Sequence, residues 1–132
     1  MITLSFLKLL ENNGFGTIDV DLFFQKLTLD KEGIYIADVG DPVGRNSRDT
    51  QSFELYARGK NDADGYRKLK EIRKFLVNEY SNICELPPFP PITTEVYTNV
   101  ELSKPSTITN VGLDANNRVI YSMTGTIIYK EK

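Results

Sequence analysis

The hydrophobic period of the chain changes at Gly59. In "SFELYARGKNDADGYRKLKEIRKFLVNEY" (52–80), Phe53, Leu55 and Ala57 alternate with Glu54, Tyr56 and Arg58. Beyond the glycine, Tyr66, Leu69, Ile72, Leu76 and Tyr80 recur every three or four residues. The first pattern belongs to a strand with one buried face, the second to an amphipathic helix. A lone glycine between them predicts a tight corner with Gly59 at positive φ. Asn61 is placed to cap the helix, and Asp62 and Asp64 suit its positive end. Leu69, Ile72 and Leu76 are expected against a sheet, with Lys70, Arg73 and Lys74 in solvent.

Before this unit, Ile2, Phe6, Leu9 and Leu10 share one helical face, and Asn13-Gly14 is a C-terminal stop. "TIDVDLFFQKLTL" (17–29) and "IYIADV" (34–39) predict two strands joined by a turn at 30–33, a hairpin. "GDPVGRNSRDT" (40–50) has two glycines, a proline and one apolar residue, and predicts an exposed, mobile loop. After the second helix, "LPPFPPI" (86–92) excludes helix and central strand and reads as an extended connector. "TTEVYTNVELS" (93–103) alternates Val96, Thr98, Val100 and Leu102 against Glu95, Tyr97, Asn99 and Glu101. "STITNVGL" (106–113) is less regular, "DANN" (114–117) is a turn, and "RVIYSMTGTIIYK" (118–130) is a long final strand with a bulge or bend at Gly125. The 132 residues predict one domain spanning 1–132. Its class is α+β: a mostly antiparallel sheet of about five strands packed against two helices, in the order α-β-β-β-α-β-β(β).

The chain has no histidine and a single cysteine, Cys84. A Ser-His-Asp triad, a Cys-His pair and a His-rich zinc site are therefore excluded from this chain alone. One thiol makes no internal disulfide, and Cys84 has no basic neighbour in sequence to activate it, so it reads as structural. "GDPVGR" (40–45) lacks the Gly-Lys-Ser/Thr ending and the following helix that a phosphate-cradling loop needs. Asp19 and Asp21 are expected on one face of a strand, the arrangement that paired-carboxylate chemistry or a metal would use, and also that of two simply solvated acids. No cofactor is implied. A net charge of −2 supplies no global attraction to nucleic acid, and Arg45, Arg48 and Arg58 lack interleaved aromatic residues for base stacking. The apolar N-terminus is interrupted by Lys8 and is too short to span a membrane. An assembly or binding module leads over an enzyme on these residues. The long final strand is expected to leave a sheet edge that a neighbouring copy extends.

Two segments carry a resemblance. "FELYARGKNDADGYRKLKEIRKFL" resembles the strand, Arg-Gly-Lys corner and helix of the tail terminator proteins of long-tailed bacteriophages, also called tail completion or minor capsid proteins. "VGLDANNRVIYSMTGTIIYK" resembles their C-terminal segment, in which a Gly-x-Asp turn leads into the final strand. Where the family usually has Gly-Arg-Asp-x-x-Gly-Arg, this chain has Gly112-Leu113-Asp114-Ala115-Asn116-Asn117-Arg118. Asn117 is able to take the left-handed conformation in place of glycine. The resemblance implies a structural virion protein at the head-proximal end of the tail, assembled in the host cytoplasm. It would cap the tail tube as a ring of six copies and offer a surface to the head connector, with DNA only as cargo. Residues carried over are Arg58, Gly59 and Lys60 at the corner and Gly112, Asp114 and Arg118 at the final turn. Candidate assembly contacts are thus Arg45, Arg48, Arg58, Lys60, Asp114 and Arg118. A head-completion or stopper protein of the same connector region is the nearest alternative, and a small carboxylate-dependent hydrolase the alternative of another class.

Overall fold

A computed structural model of the protein describes residues 2–25, 32–45, 48–59, 61, 63–78, 83–89, 94, 96–103, 105–115 and 117–129, without the side chains of 41–43, 45, 83 and 84. Helix α1 is Ile2–Asn12, followed by strands β1 (Leu22–Phe24), β2 (Gly33–Arg45) and β3 (Arg48–Arg58). Helix α2 is Asp64–Asn78. Four strands complete the chain: β4 (Ile83–Leu86), β5 (Tyr97–Leu102), β6 (Thr109–Leu113) and β7 (Val119–Tyr129). The class is α+β, as the pattern predicts. The strands form one sheet in the order β1-β2-β3-β7-β5-β4, with β6 paired to β7. All pairs are antiparallel except β1 with β2.

The sheet curls around α1, which touches β1 at one end of the strand order and β4 at the other. That geometry explains why Ile2–Leu7 are buried on every side of the helix, beyond the single face its spacing defines. Phe6 meets Phe53 of β3 with ring centroids 4.8 Å apart. The helix ends as its sequence predicts. Phe15 N donates to Leu10 O, Gly14 N donates to Glu11 O, and Gly14 sits at φ 82, a Schellman closure that uses the conformational freedom of glycine. Leu69, Ile72 and Leu76 of α2 enter the same core as Phe53, Leu55, Ala57, Met123 and Ile127. Phe15, just past the end of α1, meets Phe75 of α2 with ring centroids 5.1 Å apart. Both helices therefore lie on one face of the sheet.

Four expectations are corrected. Residues 17–25, the described part of the predicted strand 17–29, are not one long strand. Thr17 O accepts from the amides of Val20, Asp21 and Leu22, closing a turn, and among the described residues of the segment Leu22–Phe24 is the strand, parallel to β2. Asp19 and Gln25, both at φ 70, bracket that short strand, while half of the predicted turn at 30–33, residues 30 and 31, lies outside the described residues. Within the predicted loop, residues 40–45 and 48–50 are strand. β2 and β3 are the true hairpin, paired through Val43↔Thr50, Gly44↔Asp49 and Arg45↔Arg48, with a bulge between Val39 and Val43. Ladder bonds are made by the backbone, so polar and glycine-rich composition does not prevent them. Gln51, 3% exposed, donates from Nε2 to Gly40 O within the bulge.

The third correction concerns β5, whose alternation is broken where Asn99 adopts φ 54. Val100 and Leu102 are buried, but Val96 and Thr98 are exposed. The fourth concerns Gly125, which interrupts nothing in the register of β3 with β7. It lies opposite Phe53, whose ring would stand 2.6 Å from a Cβ placed there. Glycine is needed for the aromatic ring above it, not for a bend.

Candidate assembly site

The Arg-Gly-Lys corner takes its shape from close approach. Gly59 is not at positive φ, contrary to expectation. A Cβ on Gly59 would collide with Cβ of Asp64, and one on Gly65 would stand 2.8 Å from Ala57 O. The two glycines let the first turn of α2 rest against the end of β3. Asn61 Oδ1 accepts from Ala63 N at 3.1 Å, the predicted cap, and Asp64 lies in the first turn, 3.8 Å from Arg67. Lys60 and Asp62 lie outside the described residues.

Arg58, the last residue of β3, is 5% exposed. Its Nη1 lies 3.1 Å from Asp114 Oδ2, and Arg118 Nε reaches the same oxygen at 2.9 Å. The Arg118 backbone amide donates to Asp114 Oδ1 at 2.8 Å. The turn that presents this carboxylate is closed by Asp114 N to Arg118 O and Asn117 N to Asp114 O. Asn117 is at φ 61, the left-handed conformation anticipated for it. Side-chain exposures of 6% for Arg58, 4% for Asp114 and 16% for Arg118 make this an internal clamp between the corner and the final turn. Charge-assisted bonds of this kind fix geometry strongly because the groups are withdrawn from water. Fifty-six residues separate Arg58 from Asp114, and no local pattern announces their meeting.

The remaining candidates separate from this clamp. Arg48 stands at the other end of β3, 42% exposed, and reaches past the end of β7 to β5. Its Nη2 donates to Asn99 O at 3.3 Å, and Nη1 lies 3.6 Å from Glu101. Arg45 pairs with Arg48 through the backbone, and its side chain lies outside the described residues, as does that of Cys84. Asp19 and Asp21 belong to the 17–21 turn rather than to a strand face. Asp21 accepts from Thr17 N, and Asp19 N donates to Leu22 O.

β7 lies inside the sheet, not at an edge. β3 flanks it along 121–129, while β6 and β5 share its other side. Between those two, Ser103 and Ser106 stand in for strand residues. Each donates its amide to a carbonyl of β7, and each hydroxyl accepts the amide of the same residue, Thr126 for Ser103 and Thr124 for Ser106. The sequence gives no signal for these substitutes beyond two serines near a proline.

The sheet face turned away from the helices carries Tyr35, Ala37 and Val39 of β2, Ser52, Glu54 and Tyr56 of β3, and Ser122, Thr124 and Thr126 of β7. No described helix covers it. Tyr35 and Tyr56 stack with centroids 4.7 Å apart at 13°. A hydrogen bond with Glu54, with burial adding to it, pushes the Tyr56 hydroxyl up to about 12. Burial also raises Tyr35. This face, on which Val39 and Thr124 are exposed and Ser122 is buried, rather than an edge at β7, is the broad surface that no described helix covers.

No described helix is long and apolar enough to cross a membrane. Among the described residues no three His, Cys, Asp or Glu side chains gather as a metal site would require. No family model matches the chain, and no curated protein matches it significantly.

Proposed function

We propose that this chain is a structural subunit of a phage tail, a tail-terminator-like protein that caps the tail tube as a ring. In that role it ends tube elongation and offers the surface that joins tail to head. One observation supports the reading above others. The two segments that carry the resemblance, 53–76 and 111–130, meet in space through Asp114, which binds Arg58 at the corner and Arg118 at the final turn. Sequence features that resemble one family in two distant places are thus parts of one internal device. Arg58, Asp114 and Arg118 would act from within the subunit, holding the corner and turn rigid where neighbours meet them. Arg48 and the uncovered sheet face would supply outward contacts. The partners in this reading are further copies of the chain, six to a ring, the tube protein and the head connector, with DNA passing as cargo. Its place is the head-proximal end of the virion tail, and its work is structural rather than catalytic.

The test is electron microscopy of the purified protein mixed with tail tubes of its own phage. Added density confined to one end of each tube is the expected result. Density along the whole tube, or none, contradicts the proposal. Binding to isolated head connectors without any tube binding would favour the stopper alternative.

A further inference from the structure

Helix α2 is charged out of proportion to the rest of the chain. Its fifteen residues hold five basic side chains against Asp64 and Glu71, a net of +3, so with −2 for the whole chain everything outside the helix sums to −5. At about 100° per residue, Arg67, Lys70, Arg73 and Lys74 fall with Tyr66 within about a third of the circumference, turned away from Leu69, Ile72 and Leu76. Tyr66, Arg67, Lys70 and Lys74 are exposed, while Arg73 is half-buried and held by Ser106 O at 3.1 Å.

Only part of this stripe has an opposite charge beside it on the helix: Asp64 lies 3.8 Å from Arg67, and Glu71 stands four residues after Arg67 and three before Lys74. Basic residues favour a helix in its last turn, where α2 has none. Arg67 with Lys70, and Lys70 with Lys74, are like charges at i,i+3 and i,i+4, which repel. Arg67 has only Asp64, at 3.8 Å, and Lys70 and Lys74 have no carboxylate in ion-pairing reach among the described residues. Beside them, Tyr66, Lys70, Arg73, Thr107 and Ile108 line an open depression of about 260 Å³. A carboxylate entering it would meet two cations and a hydroxyl, with Tyr66 and Ile108 flanking its methylene groups.

We infer that the outer face of α2 is a docking surface for a short acidic segment of a partner protein, with carboxylates repeating at helical spacing. Charge complementarity selects an acid, and the length of the stripe selects its form. Arg67 to Lys74 spans about 10 Å, or two helical turns. Glutamates at i, i+3 and i+7 of a partner helix repeat at the same interval. A nucleic-acid duplex carries a charge about every 1.7 Å and would run on past the stripe, in a chain whose remaining residues sum to −5 and offer it no net attraction. The surface does not depend on the tube-capping role.

The inference is tested by fluorescence anisotropy with three labelled probes. These are an alanine-rich helical peptide bearing glutamates at i, i+3 and i+7, its Glu→Gln counterpart, and a 20-base-pair DNA duplex. The acidic peptide is expected to bind at low salt, to weaken as salt rises, and to bind more tightly than either of the other probes. The double variant Lys70→Glu/Lys74→Glu should weaken it by about tenfold or more, since two attractive pairs become repulsive. Lys8→Glu/Arg48→Glu makes the same change in net charge outside the helix, at side chains 34% and 42% exposed, and should weaken it far less. Equal weakening by both variants, no preference over the Gln peptide, or tighter binding of the duplex overturns the inference.

Discussion

Replacing Asp114 by alanine removes the carboxylate that joins β3 to the final turn. Arg58, with 6% of its side chain exposed, would stay buried without that carboxylate, and Arg118 would lose both its Nε contact and a backbone acceptor. Removing one partner of a buried ion pair costs about 3–5 kcal/mol, because the surviving charge stays desolvated. The short contacts of 2.8–3.1 Å favour the upper part of that range. In a domain of this size roughly 4 °C of Tm accompanies each kcal/mol, so a fall of roughly 10–20 °C is expected. Urea unfolding followed by circular dichroism measures it, with an unchanged m-value showing that the transition is still the same one. The double variant Arg58→Met/Asp114→Ala should cost less than the two single changes summed, since the two groups share one buried pair. If Asp114→Ala costs less than about 1 kcal/mol, or if the two changes add, the clamp does not hold the fold as argued.

Three other outcomes follow from the packing and the open sheet face. Leu76→Ala should cost about 2–5 kcal/mol in the same urea assay, because Leu76 is 3% exposed within the shared core. Gly59→Ala should cost about 1–3 kcal/mol even though Gly59 is not at positive φ, since the new methyl group meets Asp64; Gly14, at φ 82 with open space around it, provides a comparison in which only backbone strain acts. Tyr56, held at about 12 first by its hydrogen bond with Glu54, should be among the last tyrosines to ionise in an absorbance titration, and Glu54→Gln should bring it back toward 10. Its folded value lies above the unfolded one, so the stability it contributes is complete below about pH 10 and is lost as pH rises toward 12.

The readable parts of this fold are those whose causes are local. The change of period at Gly59, the Gly14 stop and the left-handed Asn117 each depend on a few adjacent residues, and each stands where the sequence puts it. Composition misleads between residues 40 and 50, because glycine, proline and aspartate describe side chains while the hairpin is closed by backbone bonds. Asn99 moves Val96 and Thr98 out of the buried row through one dihedral angle that alternation does not record. The candidate site was legible as residues but not as an arrangement. Arg58, Asp114 and Arg118 were all identified, yet as contacts facing outward. Their convergence depends on β3 and the final turn being brought together across the sheet, a nonlocal outcome. Ser103 and Ser106 were missed for a related reason: a serine replacing a strand residue resembles any loop serine until the gap it fills is known.

The capping proposal is tested most directly by the growth of the tail tube itself. Tube protein polymerised with a substoichiometric amount of this chain should give tubes whose elongation stops, with lengths that no longer increase when fresh tube protein is added. Tubes that keep lengthening at the rate of the untreated control would contradict it.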